Sequence, residues 1–521
     1  MVETQNSGLG QGQGLSRRLP WGRPFPAAAA GRATADLMPH WLLAISGVLV
    51  GAFLEHLGFR IEGGAVPVLA IGPLFLALDR ELFPGLLLGP LFFTYLFHFL
   101  GYGLGPLWQV HVLGGFEEIE AGFVPAQWGG ALGLWTYAIA FPLIFRISSR
   151  AFERNGGRAE SLPDQKRWET FTLALLALVV FIIVFGVLTG SANRLGNTGE
   201  VSVEELSVTA AVPAVGPVLF FFLGYLAVRR RGKWRLLWLL TLVGYVAFYW
   251  LDGGRGAGAF AVLMSAMGYV WGGMTVRRVL GRLALFTLLF IPVSGIVLDY
   301  RDLVKSERLP GLTSFQKRIN TFSQTVGNFS ADFSLARASG VFFRNVTAHA
   351  VDRVFLLTPQ EIPFAGLEGI ENIPSGLVPR IIDPDKPNLA DGNDLAILYG
   401  SQDKLGVGGY MPAVGDGYRR FGWLGVALLY VFSAAVYAPV LAWLWARRVR
   451  CEWLAMILVI TVSSGEVFST SVLRNFYFLL WIFPKYLLLI WLFGKLSENL
   501  FNIFIPMKLP PKIKPNGFRR I

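Results

Sequence analysis

Apolar stretches separated by short polar breaks make up most of the chain, with one long exception. Between Tyr300 and Phe421 the sequence is mostly polar, and from Phe421 it turns apolar again. A helix crosses a bilayer with ~17–25 apolar residues, so apolar runs of that length predict spans. They fall near 41–58, 64–78, 82–103, 128–147, 169–190, 208–228, 235–251, 257–276, 280–299, 421–446, 453–472 and 475–495. Several contain Gly or Pro, which membrane helices tolerate where neighbours satisfy the freed backbone groups. The expected fold class is an all-α polytopic membrane protein of about twelve spans with one large extracytoplasmic loop.

Five segments follow from this pattern. Residues 1–39 are rich in Gly, Ala, Pro and Arg and are expected as a disordered cytoplasmic tail. Residues 40–299 form a bundle of about nine helices, 300–420 the loop, 421–496 three further helices and 497–521 a basic cytoplasmic tail. The start differs from a signal peptide, because the Ala27–Ala30 run precedes the apolar stretch. Within the loop, Phe315, Ile319, Phe322, Val326, Phe329 and Phe333 recur at helical spacing and predict an amphipathic helix. From Thr358 to Tyr418 the sequence is rich in Pro, Gly, Asp and Asn, and ordered irregular structure is expected.

Composition agrees with a membrane protein. The hydrophobic fraction is 54% and the charged fraction 15%, with mean hydropathy +0.52; soluble domains carry roughly 25% charged residues. The net charge of +12 is read as orientation and not as nucleic-acid binding. Arg146, Arg150, Lys166, Arg167, Arg229 to Arg231, Arg277, Arg278, Arg447, Arg448 and Arg450 all fall between spans on one side. Segment 104–127 has no Lys or Arg and falls on the other. The positive-inside rule then makes both termini cytoplasmic and the long loop extracytoplasmic. A lone Cys451 and five dispersed His give no disulfide framework and no metal cluster.

Candidate chemistry lies in the charges on the outer side. Arg60, Arg194, Arg255, Arg301, Arg308, Arg353, Arg380 and Arg474 are assigned there by the topology. Guanidinium stays protonated and binds phosphate oxygens in pairs, so the set suits a lipid-linked phosphate or diphosphate. No P-loop is present, and Gly101–Gly105 lacks the preceding strand of a dinucleotide loop. Inside the last two spans, Glu466 and Lys485 are placed so that they could pair, with Arg474 in the turn above them.

Three stretches carry a resemblance. Ile373-Pro374-Ser375-Gly376-Leu377-Val378-Pro379-Arg380, followed by Asp383-Pro384-Asp385-Lys386-Pro387, resembles the outer loop of Wzy-type oligosaccharide repeat-unit polymerases. So does the run Gly415-Asp416-Gly417-Tyr418-Arg419-Arg420-Phe421-Gly422-Trp423-Leu424-Gly425. The turn Asp252-Gly253-Gly254-Arg255-Gly256 is similar to their small-residue–Arg–Gly turn. Asp416 departs from the pattern, because many relatives have Glu there.

The resemblance implies a membrane glycosyltransferase with a GT-C-like architecture in a bacterial inner membrane. It would polymerise undecaprenyl-diphosphate-linked repeat units into a surface polysaccharide without metal, nucleotide or other cofactor. Implied partners are the lipid-linked glycan donor and acceptor, membrane lipid, a flippase and a chain-length regulator. Arg255, Arg380, Lys386 and Arg474 are then expected to bind diphosphate or glycan. The acceptor hydroxyl needs a base, for which His349 and Asp416 are both candidates. Glu466 and Lys485 are expected as a structural ion pair. An O-antigen ligase-like enzyme and a polysaccharide flippase or transporter remain the alternatives.

Overall fold

The computed structural model describes residues 29–111, 120–156, 165–188, 212–230, 232–251, 256–286, 315–327, 347–372, 411–448, 450–468 and 483–504, with short pieces at 296–297, 300, 374, 378, 395, 397–399 and 476. Among these the regular structure is all helical, with no strand. Six helical segments are long and apolar enough to cross a membrane: Leu37–His56, Arg60–Leu82, Gly122–Phe152, Lys166–Phe185, Lys233–Leu251 and Ala413–Trp445. This set is compatible with a multi-pass membrane protein.

The first helix, α1 (Ala29–His56), starts inside the segment expected to be a tail. The Ala27–Ala30 run that argues against a signal peptide is also strongly helix-forming. Next come α2 (Arg60–Ala70) and α3 (Gly72–Leu82), one apolar segment broken at Ile71, where Pro73 of the next turn cannot donate. The expected span at 82–103 is different in kind. Residues 83–89 are irregular around Pro84 and Gly85, and a short α4 (Pro90–His98) passes through a π-helical turn, Phe99–Leu104, into α5 (Gly105–His111).

The remaining helices follow the expected order. They are α6 (Glu120–Gly156), α7 (Gln165–Leu188), α8 (Val212–Arg229), α9 (Lys233–Leu251) and α10 (Gly256–Trp271). After them come α11 (Phe315–Gly327), which is the amphipathic helix, and α12 (Thr347–Leu357). Last are α13 (Ala413–Trp445), α14 (Cys451–Phe468) and α15 (Phe483–Phe504). The expected spans at 208–228, 257–276 and 453–472 coincide with shorter apolar helices, Val215–Arg229, Ala257–Trp271 and Cys451–Val462. Of 280–299, helix is described at residues 280–286 and 296–297, and of 475–495 at 476 and from Phe483 on.

In the core, α13 lies along α6, α10 along α8, α14 against α4, and α15 against α7. Helices α8 and α10 come into backbone contact at Gly268, where a Cβ would strike the Phe221 carbonyl. By contrast, only 22% of the apolar window of α1 and 17% of that of α9 is buried. Leu42, Leu49, Phe53, Leu240 and Val243 stand exposed on those two helices, as lipid-facing positions do.

The bundle has two chemically distinct ends. At one, Arg146 pairs with Glu81, and Arg230 with Glu169. Glu452 there accepts from Arg167 at 3.0 Å and Arg450 at 2.7 Å. Arg447 and Arg448 lie over Trp443 and Trp445, 4.5 and 4.6 Å from the ring centroids. This gathers at one end the basic residues that the charge pattern assigns to one side. The other end holds Glu55, bonded by Trp128 at 2.8 Å, and Glu62, 2.9 Å from His111.

Candidate functional site

The end that holds Glu55 and Glu62 also carries a buried charge cluster built by the start of α13. Asp416, Arg419 and Arg420 fall three and four residues apart on this helix, so they share one face. Asp416 Oδ1 accepts from Arg419 Nε at 2.7 Å and from Arg420 Nε at 3.2 Å. The three side chains are 0%, 5% and 3% exposed. Asp416 thus bridges two guanidinium groups in a nearly dry setting.

A break in α13 makes the site possible. Phe421 (φ −143°, ψ 27°) and Gly422 (φ 62°, ψ −145°) leave the helical region, so the carbonyls of Arg419 and Arg420 lose their helical partners. The loop after α12 supplies replacements: Ala365 N–H donates to Arg419 O at 2.9 Å and Gly366 N–H to Arg420 O at 3.2 Å. Arg420 returns the bonds through its side chain. Its Nη1 donates to Gly366 O at 3.0 Å and to Glu368 O at 2.8 Å. Its Nη2 is buried and finds no partner among the described residues. A guanidinium held on three sides with its last nitrogen open is a ready donor to an oxyanion.

The walls are aromatic. Phe355 of α12 stacks on Tyr418 at 4.0 Å, and Trp423 lies 5.5 Å from Tyr418. Tyr399 bonds Thr358 Oγ1 at 2.9 Å. Burial pushes the Tyr399 phenol up, against the pull of the Thr358 bond and the Arg419 charge. It is therefore a neutral hydrogen-bonding group at neutral pH. Asp352 of α12 is buried nearby and accepts the Arg353 N–H at 2.6 Å.

The sequence-predicted residues divide clearly. Asp416 lies at the centre of the cluster, on a helix that starts at Ala413, above the expected span at 421. His349 lies on α12, which packs against α6 and α13, while its side chain is outside the described residues. Arg255, Arg380, Lys386 and Arg474 are outside them altogether. Lys485 is exposed on α15; the side chain of Glu466 on α14 is not described, so their pairing lies outside the described residues too. Arg60 and Arg353 are exposed. Among the described residues no group of His, Cys, Asp and Glu could hold a metal.

Sequence reasoning quoted Arg419 and Arg420 without giving them a role. Their spacing from Asp416 on one helical face was the available signal. It also passed over two polar groups inside the bundle. The Asp79 carboxylate accepts from Gly89 N at 2.9 Å, Leu91 N at 3.1 Å and Phe92 N at 2.7 Å, capping α4 across the irregular 83–89 connection. His98 Nδ1 donates to Thr94 O at 2.8 Å, which leaves Nε2 to accept from the Tyr430 hydroxyl on α13. No family model, curated protein or solved structure matches this chain.

Proposed function

We propose that this protein is a multi-pass membrane glycosyltransferase of the repeat-unit polymerase type, with about twelve spans in a GT-C-like bundle. Its basic end faces the cytoplasm and the Asp416 end faces outward, in line with the positive-inside rule. The observation that carries this reading is Arg420: buried, tied to the loop through Nη1, and open at Nη2. The substrate it suits has an anionic leaving group at the membrane surface, and an undecaprenyl-diphosphate-linked glycan has one.

The chemistry balances without a cofactor. An acceptor hydroxyl attacks the anomeric carbon of the donor glycan, and the bond from that carbon to the diphosphate breaks. The bonding pair leaves with the lipid diphosphate, and the hydroxyl proton passes to a base. Arg420 stabilises the charge growing on the leaving group, an effect strongest where water is excluded. Asp416 holds both guanidinium groups and so acts as a positioning residue. That leaves His349 on α12 as the base. Arg255, Arg380, Lys386 and Arg474 extend the phosphate and glycan contacts on the same side.

The test uses proteoliposomes loaded with a lipid-diphosphate-linked repeat unit and no nucleotide sugar. Wild-type protein gives a ladder of products on a gel, and Arg420→Lys gives the single unit at equal folded protein. A wild type that gives no ladder overturns the polymerase reading. If it instead moves labelled lipid across the bilayer, the chain is a transporter, a reading that the buried His98–Tyr430 pair would favour. Transfer only to an added lipid A core would make it a ligase.

A further inference from the structure

Beyond the break at Gly422, residues 423–445 of α13 run about 35 Å at ~1.5 Å per residue, enough to cross a hydrocarbon core of ~30 Å. Both ends bear the marks of an interface. Trp443 and Trp445 sit under Arg447 and Arg448 at one end, and Trp423 stands 44% exposed at the other. Between them Leu424, Leu428 and Val431 are exposed and spaced by four and three residues. They form one apolar stripe down the helix, the pattern of a face turned to lipid.

The loop after α12 sits at the top of that stripe. Phe364 is 47% exposed and Leu367 is 66% exposed. The Phe364 ring lies at the level of the helix break, 3.5 Å from where a Cβ on Gly422 would be, and 6.5 Å from Tyr418. Between the two apolar side chains is Gly366, whose amide bonds the Arg420 carbonyl and whose carbonyl accepts from the Arg420 guanidinium. The loop is thus stitched to α13 at the boundary of the hydrocarbon, with its large apolar residues outward. Glu361, Glu368 and Glu371 are exposed on the same loop and supply its polar side.

We infer that residues 364–367 form a membrane-inserted wall of the Arg420 site. Phe364 and Leu367 enter the interfacial and upper acyl zone of the adjacent leaflet, continuing the lipid-facing stripe of α13. The partner is the bilayer itself, since a stripe already turned to lipid runs straight into these two side chains. The wall that Arg420 grips is therefore a lipid-facing one. This placement does not depend on the polymerase reading and would hold for a transporter or a ligase.

The experiment is a depth measurement on the full chain in lipid nanodiscs. Cys451 is fully buried, so a nitroxide goes to an introduced thiol. Phe364→Cys, Leu367→Cys, Leu428→Cys and Glu361→Cys are labelled singly and exposed to oxygen and to a water-soluble nickel chelate. The expected oxygen-to-nickel accessibility ratio at 364 and 367 is several-fold above that at 361 and approaches that at 428. Ratios at 364 and 367 matching 361 would place the loop in water and overturn the inference. So would exclusion of both reagents, which would mean that a second copy of the chain covers the loop.

Discussion

Arg420 is the residue on which most of the site turns. Its Nη1 spans two carbonyls of the loop, a planar geometry that an ammonium cannot copy. Arg420→Lys is expected to lower turnover by about 10²–10³-fold, the usual effect of removing one fixed donor to a developing anion. Its fold should survive, which circular dichroism in detergent would check. Asp416→Asn has a different signature. It leaves two buried guanidinium groups without their carboxylate, and removing one partner of a buried pair costs about 3 kcal/mol or more. Thermal unfolding in detergent should show a clear drop, and an unchanged midpoint would mean that Asp416 does not hold the cluster. Asp79→Ala should cost about 2–3 kcal/mol, because three backbone N–H groups lose their acceptor at once. At this scale the sequence was half legible. Asp416 could be picked out from the run around it. The partners of Arg420 could not, since Gly366 and Glu368 are far away in the chain and act through backbone carbonyls, which carry no residue-type signal.

Among the elements, long apolar helices were the most legible part. α6, α7, α9 and α13 stand where apolar length predicts them, and α11 covers Phe315, Ile319, Phe322 and Val326 of the expected amphipathic helix, whose Phe329 and Phe333 lie outside the described residues. The 82–103 stretch misled because hydropathy does not register a connection. Pro84, Gly85 and Pro90 break the helix there, and Asp79 repairs the break from an earlier helix. The break in α13 was likewise hidden inside an apolar run. Gly422 takes a backbone conformation that belongs essentially to glycine, so Gly422→Ala is expected to cost about 1–3 kcal/mol. It should also loosen the loop held by Ala365 and Gly366, which faster hydrogen exchange of those two amides would report. Wild-type exchange rates there in Gly422→Ala would mean that the break does not control the loop.

The whole molecule is organised by its two ends. Acid should weaken the basic end through Glu498. Partial burial raises the affinity of this carboxylate for protons, but Lys495, Arg167 and Arg450 outweigh it and hold the group below its ordinary 4.5. A lowered carboxylate contributes stability at and above its ordinary range and loses it as pH falls through the lowered value. Glu498 is about a third exposed and near the surface, so the contribution is small. Glu498→Gln should flatten the acid limb of the unfolding midpoint against pH, with little change at pH 7; an acid limb as steep as wild type would mean that Glu498 adds nothing to it. The other end holds the buried Asp416–Arg419–Arg420 cluster, and charge alternation along the sequence already separated the two ends.

The central claim is that the outward end runs glycosyl transfer with Arg420 on the leaving group. Its most direct test is single-turnover release of lipid diphosphate from a lipid-diphosphate-linked glycan, with acceptor present and nucleotide absent. The account predicts release by wild type in step with formation of the new glycosidic bond, and a fall of about 10²–10³-fold in Arg420→Lys at unchanged folded fraction. Release by Arg420→Lys at the wild-type rate would contradict it.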